Sequence, residues 1–172
     1  DVVGRDAVAY AAEQVGNKYD EVLNKMKFNM DFKTTSDILG ALNKANLPSA
    51  AQKEEAVNVL NNIALSRFDK PTLTGQEYKA IESDLRKEAQ GYLKSDKRSE
   101  QQIGEALQSV LDVFKTELRA QNPKMTPQLR RIDSAYGDLN VMQRAAANTN
   151  AENGVFTPRQ YQSAVRQADI TR

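Results

Sequence analysis

Apolar residues recur at alternating intervals of three and four along most of this chain, and short turns rich in Pro, Asn, Ser and Thr separate the runs. That spacing returns side chains to one face of an α-helix, so the pattern predicts several amphipathic rods and leaves little room for a sheet. The first run is Val8, Ala12, Val15, Tyr19, Val22 and Met26, with Asp6 as its expected N-cap. Ile38, Leu39 and Leu42 follow behind a cap at Thr35 or Ser36. Ser49 with Gln52, and Thr74 with Glu77, have the spacing of capping boxes, in which two side chains satisfy two orphan backbone donors. The helices behind them carry Val57, Leu60, Ala64 and Phe68, then Tyr78, Ile81, Leu85, Ala89 and Tyr92 or Leu93. Ser99 and Gln102 open a run of Ile103, Leu107, Val110, Phe114 and Leu118. Asn122-Pro123 ends it, because proline disfavours helical backbone in the residue before it. Thr126-Pro127 and Thr157-Pro158 each place a capping residue ahead of a proline at the first helical position. The first leads into Leu129, Ile132, Tyr136, Leu139 and Ala146, the second into Tyr161, Ala164 and Val165.

One stretch breaks the rhythm. Phe28, Met30 and Phe32 alternate with Asn29 and Asp31, the period of an extended segment. Its candidate strand partners are Thr72–Thr74 or Val155–Phe156. The expected fold is all-α, an antiparallel bundle of six to seven amphipathic helices with at most a minor short strand pair. The 172 residues suit a single helical domain spanning 1–172. Val15, Val22, Leu60, Leu85, Val110, Phe114, Ile132 and Leu139 are expected to be buried together. A first residue Asp1 in place of Met, and a last residue Arg172, lead us to expect a piece of a longer polypeptide or a processed form.

Composition narrows the chemistry. With no Cys, disulfides, thiolate nucleophiles and sulfur-ligated metals are excluded. With no His, imidazole general bases and Ser–His activation are excluded too, so an enzyme would have to work with carboxylates, Lys or Tyr. Glu82 with Asp84, and Glu54 with Glu55, are the nearest approach to acid–base pairs. Neighbours one or two apart point to different sides of a helix and do not converge on one substrate atom. Lys94, Lys97 and Arg98, and separately Arg130 and Arg131, form small basic clusters. From Ala120 onward seven Lys/Arg face four Asp/Glu, but no aromatic side chain interleaves the clusters Lys94–Arg98 or Arg130–Arg131 as a stacking platform for bases would require. The eight glycines form no phosphate loop, and no carboxylates take calcium-loop spacing. We therefore expect no catalytic, cofactor-binding or metal-ligating residues, no cofactor and no small-molecule substrate. Nucleic-acid contact is unsupported by a net charge of +1, and membrane contact is left open.

Two stretches in the last third carry a resemblance. Arg131-Ile-Asp-Ser-Ala-Tyr-Gly-Asp-Leu139, and the segment from Gly154-Val-Phe-Thr-Pro-Arg to Ala168-Asp169, resemble a recurring segment of tailed-phage and prophage internal virion proteins. Leu73-Thr-Gly-Gln-Glu-Tyr and Gly4-Arg5 with the helix after them fit the same set, so the likeness runs from Gly4 to Asp169. The resemblance implies a helical protein packaged with the particle, of the DNA-ejection or DNA-transfer type, and transfers no functional residue. It implies other virion proteins or further copies of itself as partners, and a location in the virion with delivery into the host envelope. The competing expectation is a cytoplasmic helical adaptor or regulatory module that binds a protein or nucleic acid.

Overall fold

A computed structural model of the chain describes residues 4–148. Within them are six α-helices and one two-stranded antiparallel sheet, the all-α class with a minor strand pair. In chain order these are α1 (Arg5–Leu23), β1 (Lys27–Asn29), α2 (Phe32–Lys44), α3 (Ala50–Ile63), β2 (Thr72–Thr74), α4 (Gly75–Leu93), α5 (Arg98–Gln121) and α6 (Thr126–Asn148). Short 3-10 turns at Leu65–Arg67 and Pro123–Met125 follow α3 and precede α6. The helix expected after Thr157-Pro158, the strand candidate Val155–Phe156 and the resemblance from Gly154 to Asp169 lie outside the described residues. The elements group into two compact units, one from Leu23 to Met125 and one built from the two ends of the chain.

The larger unit is organised around α5. Its stripe Ile103, Leu107, Val110, Phe114 and Leu118 is buried as the spacing predicts. Against it lie α2, α3 and α4, and the α4 stripe Tyr78, Ile81, Leu85 and Ala89 is buried along its length. Phe28 on β1 is fully buried, and β1 pairs with β2 in the register Phe28↔Leu73, so Thr72–Thr74 is the partner. The Phe28 ring stacks on Tyr78 at 4.8 Å and tilts against Phe68 and Phe114, each at 5.9 Å. Four separate segments thus meet in one aromatic cluster, where each ring pair adds about 0.5–1.5 kcal/mol beyond its burial.

Close approach fixes two junctions. A Cβ on Gly75 would lie 1.9 Å from the carbonyl oxygen of Leu23, and one on Gly104 would lie 2.8 Å from the backbone nitrogen of Leu93. Only glycine lets β2 turn into α4 against the end of α1, and only glycine lets α5 cross the α4 terminus this tightly. Gly16, by contrast, has nothing within 4 Å of an added Cβ.

In the smaller unit α1 and α6 run antiparallel: Val8 packs with Leu139 and Ala145 near one end, and Tyr19 meets Tyr136 edge-on at 6.4 Å. Ala11, Ala12 and Ala146 fill the space around that contact, and their small side chains let the helix axes come close.

Several local expectations are corrected. Helix α1 begins at Arg5, where the Val8 N–H donates to the Gly4 carbonyl, so Asp6 sits inside the first turn and serves the helix dipole instead of capping. Met26 lies past the helix end yet is buried. Helix α2 is capped by Asp31, which accepts from the Thr34 N–H at 2.8 Å, and neither Thr35 nor Ser36 caps it. The helix therefore starts at Phe32 and cuts the alternating run, leaving Met30 half-buried and Phe32 89% exposed.

On α3 Leu60 and the capping Ala64 are buried as expected, but Ala56 is buried where Val57 is exposed, and Phe68 belongs to the loop beyond. Ser49 caps α3, but the Gln52 side chain does not return to the Ser49 backbone; its amide donates to the Ser99 carbonyl and the Gln102 side chain. Helix α5 starts at Arg98 after Lys97 with no side-chain cap, so Ser99 is already helical, and Thr126 is the first residue of α6. The Thr74–Glu77 capping box forms with both arms, at 3.2 and 3.3 Å. Of the eight core residues expected, Val15 is only half-buried and the other seven are buried, divided between the two units.

The two glycine environments predict opposite signs. Gly75→Ala should lower the urea midpoint sharply, whereas Gly16→Ala should raise stability by about 0.5–1 kcal/mol by restricting the unfolded chain. Equal effects of the two substitutions in equilibrium unfolding would refute the close approach at Leu23.

Candidate functional site

The densest polar constellation of the larger unit surrounds Glu117 on α5. Glu117 is buried, and its carboxylate accepts from the Lys33 ammonium at 2.8 Å and lies 3.4 Å from the Thr34 hydroxyl. Lys33 also donates to Asp37 one turn along α2, at 2.9 Å. These partners have consequences for protonation. The hydrogen bond from Lys33 holds the Asp37 carboxyl below the usual carboxylate range, and the hydrogen bond to Glu117 raises the Lys33 ammonium. The Thr34 backbone N–H does the same for Asp31 as Lys33 does for Asp37.

One turn beyond, side-chain amides close the free edge of β1. Asn29 donates its backbone N–H to the Gln121 side-chain carbonyl at 2.6 Å, and the Gln121 amide donates back to the Asn29 carbonyl at 3.0 Å. Asn122 repeats the exchange with the Lys27 backbone, at 3.0 and 2.7 Å. The last residues of α5 thus stand in for a third strand along the outer edge of β1. This network is architectural: it holds β1 and α2 on α5.

The acidic residues weighed in the sequence do not converge. Glu82 is buried on α4 and bonded to Arg86, while Asp84 pairs with Arg67 at 2.6 Å. Glu54 is exposed, and Glu55 accepts a hydrogen bond of 2.7 Å from the Tyr92 hydroxyl. An open depression of about 300 Å³ gathers Glu55, Glu88 and Glu100 with Tyr92 and Lys87. Burial, then the bond to Glu55, pushes the Tyr92 phenol upward. That is the reverse of what a phenolate base or nucleophile needs. Among the described residues no group of three or more acidic side chains is placed to hold a metal ion, and no helix is long and apolar enough to cross a membrane.

Of the basic clusters, two members are engaged at the start of α5. Arg98 pairs with Glu105 at 2.8 Å and Lys97 approaches Glu100 at 4.0 Å, whereas Arg130 and Arg131 are exposed on α6.

Two apolar surfaces are left over, one on each unit. On α2, Phe32 and Leu39 lie two turns apart on the side opposite buried Thr34 and Ile38, at 89% and 51% exposure, with Ser36 between them. Between α1 and α6 runs a groove of about 410 Å³ lined by Val15, Val22, Ile132 and Ala135, with Lys18 and Arg131 at its exposed rim. The sequence pattern missed both Glu117 and the α2 face. A signal existed for the first: an acid one residue before Leu118 and three after Phe114 falls on the buried stripe.

No family model matches the chain, and no curated protein or solved structure is significantly similar to it.

The constellation around Glu117 predicts an asymmetry. Lys33 is largely exposed and its partner is not, so Lys33→Met strands a buried carboxylate and should destabilise more than Glu117→Gln, which leaves a solvated ammonium. Equilibrium denaturation of the two variants checks the order.

A pH profile follows from the same groups. Asp31 and Asp37 are lowered below 3.8 and Glu77, bonded to Lys70, below 4.5, so each contributes stability above those values that is lost as acid protonates the folded form. Lys33 and Lys70 are raised, so their contribution is complete below 10.5 and fades in stronger alkali. Unfolding free energy should be level near neutrality and fall below about pH 4, with a shallower fall in Asp37→Asn; a flat profile down to pH 3 would count against the network.

Proposed function

We propose that this chain is a non-enzymatic assembly domain of a phage or prophage virion protein, of the type that accompanies the genome into the host. The observation that carries the assembly part is the exposed apolar face of α2: Phe32 is the most exposed large apolar residue among those described, and Leu39 extends the patch. Apolar surface arranged on one helix face is the usual form of a contact for another protein. The polar groups nearby are occupied in holding α2 to α5, so that face offers shape and greasiness and little chemistry. The virion part is supported by the sequence resemblance at Arg131–Leu139 and Leu73–Tyr78. Helices rely on local contacts and reform quickly, which suits a chain that is threaded through a narrow tail and refolds beyond it. Its partners on this reading are other virion proteins or further copies of itself, and its location is the particle and then the host envelope.

The test is compositional. Mass spectrometry of purified particles should detect the protein, and particles that have released their genome should have lost it. Recovery only from the cytoplasm of infected cells would overturn the virion reading in favour of a cytoplasmic adaptor.

A further inference from the structure

We propose that the outer face of α2 on one molecule seats in the α1–α6 groove of a second copy, joining copies head to tail. This deepens the assembly reading by naming the partner and the two surfaces.

The apolar parts match in spacing and in size. Phe32 and Leu39 are seven residues apart on α2, and Val15 and Val22 are seven residues apart along the groove, so both pairs span about 10 Å at the helical rise. A cavity of about 150 Å³ suffices for a benzene ring. The groove, at about 410 Å³, has room for the Phe32 ring and the Leu39 side chain together, above buried Val22 and Ile132.

The polar parts match as well. The Gln128 side-chain oxygen is buried in the groove wall with no hydrogen-bond donor among the described residues. The Ser36 hydroxyl lies exposed between Phe32 and Leu39 and makes no hydrogen bond among the described residues, so it is free to donate at the contact. Of the two cations at the rim, Lys18 is paired with Glu21 at 3.0 Å, while Arg131 makes no ion pair among the described residues. Asp31, exposed beside Phe32, brings the opposite charge to that end of the contact.

The two surfaces differ, so the contact is heterologous. Each copy offers one of each, and assembly proceeds by addition until a ring closes or a filament grows.

The absence of Cys makes the test direct, since an introduced thiol is the only one in its chain. Equal amounts of the 172-residue Phe32→Cys and Ala135→Cys chains are mixed under mild oxidation. Phe32 is solvent-exposed and Ala135 half-buried at the groove, so neither change threatens folding. The mixed disulfide should form roughly tenfold faster than either homodisulfide, because seating raises the local thiol concentration. In sedimentation equilibrium the unaltered chain should grow in mass with concentration, and Phe32→Ser and Arg131→Glu should each suppress that growth. A predominance of the Phe32→Cys homodisulfide would show α2 faces meeting each other and overturn the proposal. A strictly monomeric chain at millimolar concentration would do the same. Particle composition decides the virion reading separately, so either can fail alone.

Discussion

The larger unit depends on where Phe28 goes. A three-residue strand has too few hydrogen bonds to hold itself, and β1 persists because its one inward side chain enters a cluster with Phe68, Tyr78 and Phe114. Each of those rings comes from a different segment, so burying Phe28 draws together the loop after α3, the start of α4 and the middle of α5. Once Phe28 is fixed, the N–H and C=O groups of Lys27 and Asn29 face away from β2, and Gln121 and Asn122 reach them from the end of α5. A buried side chain and four amide bonds thus make one joint. The joint also explains Gly75: with β2 held in register against β1, the chain must turn into α4 hard against Leu23, and a methyl group would collide there.

Charged groups in this protein mostly hold elements in place. Glu117 fixes α2 through Lys33, Asp84 ties Arg67 to α4, Glu77 closes the cap of α4, and Glu55 receives the Tyr92 hydroxyl. The shifts at Asp37, Glu77 and Tyr92 point away from reactivity: those two carboxyls are lowered and the phenol is raised. A general base poised near neutrality needs the reverse arrangement, with a carboxyl raised or a phenol lowered by its surroundings.

The periodic pattern in the sequence was enough for most of the framework and failed at definite places. Helix α5 was legible because five apolar residues at intervals of three and four can bury themselves only on one helical face, and all five do. The Thr74–Glu77 cap was legible because its two halves are three positions apart and need no distant partner. Gln52 has the same local spacing after Ser49 but is claimed by Ser99 and Gln102, which only tertiary packing brings near. The β1 edge was hidden for the same reason, since Gln121 and Asn122 stand more than ninety positions from Asn29 and Lys27. Val57 and Ala56 exchanged places because the core beside α3 admits a methyl group and leaves the isopropyl group outside. Neither apolar surface is visible in a list of hydrophobic residues, because Phe32 and Val22 look alike until one is exposed and the other buried.

The exposure of Phe32 follows from a competition between caps. In an extended strand Phe28, Met30 and Phe32 would share one face, and a helix capped at Ser36 would leave all three turned toward the core. Asp31 wins because its carboxylate meets the Thr34 N–H directly, and starting the helix there also places Lys33 beside Glu117 and Thr34 in the interior. A cap of this kind contributes about 1 kcal/mol, whereas burying a phenylalanine is worth roughly 1.5–3 kcal/mol. The local exchange therefore runs at a loss unless the bonds of Lys33 and Thr34 offset it. Sequences generally remove such losses by placing a polar residue at the exposed position, which here would cost nothing in the cap or in the Glu117 network. A phenylalanine outside, with a leucine two turns along and a hydroxyl between them, is the surface on which the proposed contact with the α1–α6 groove of a second copy rests.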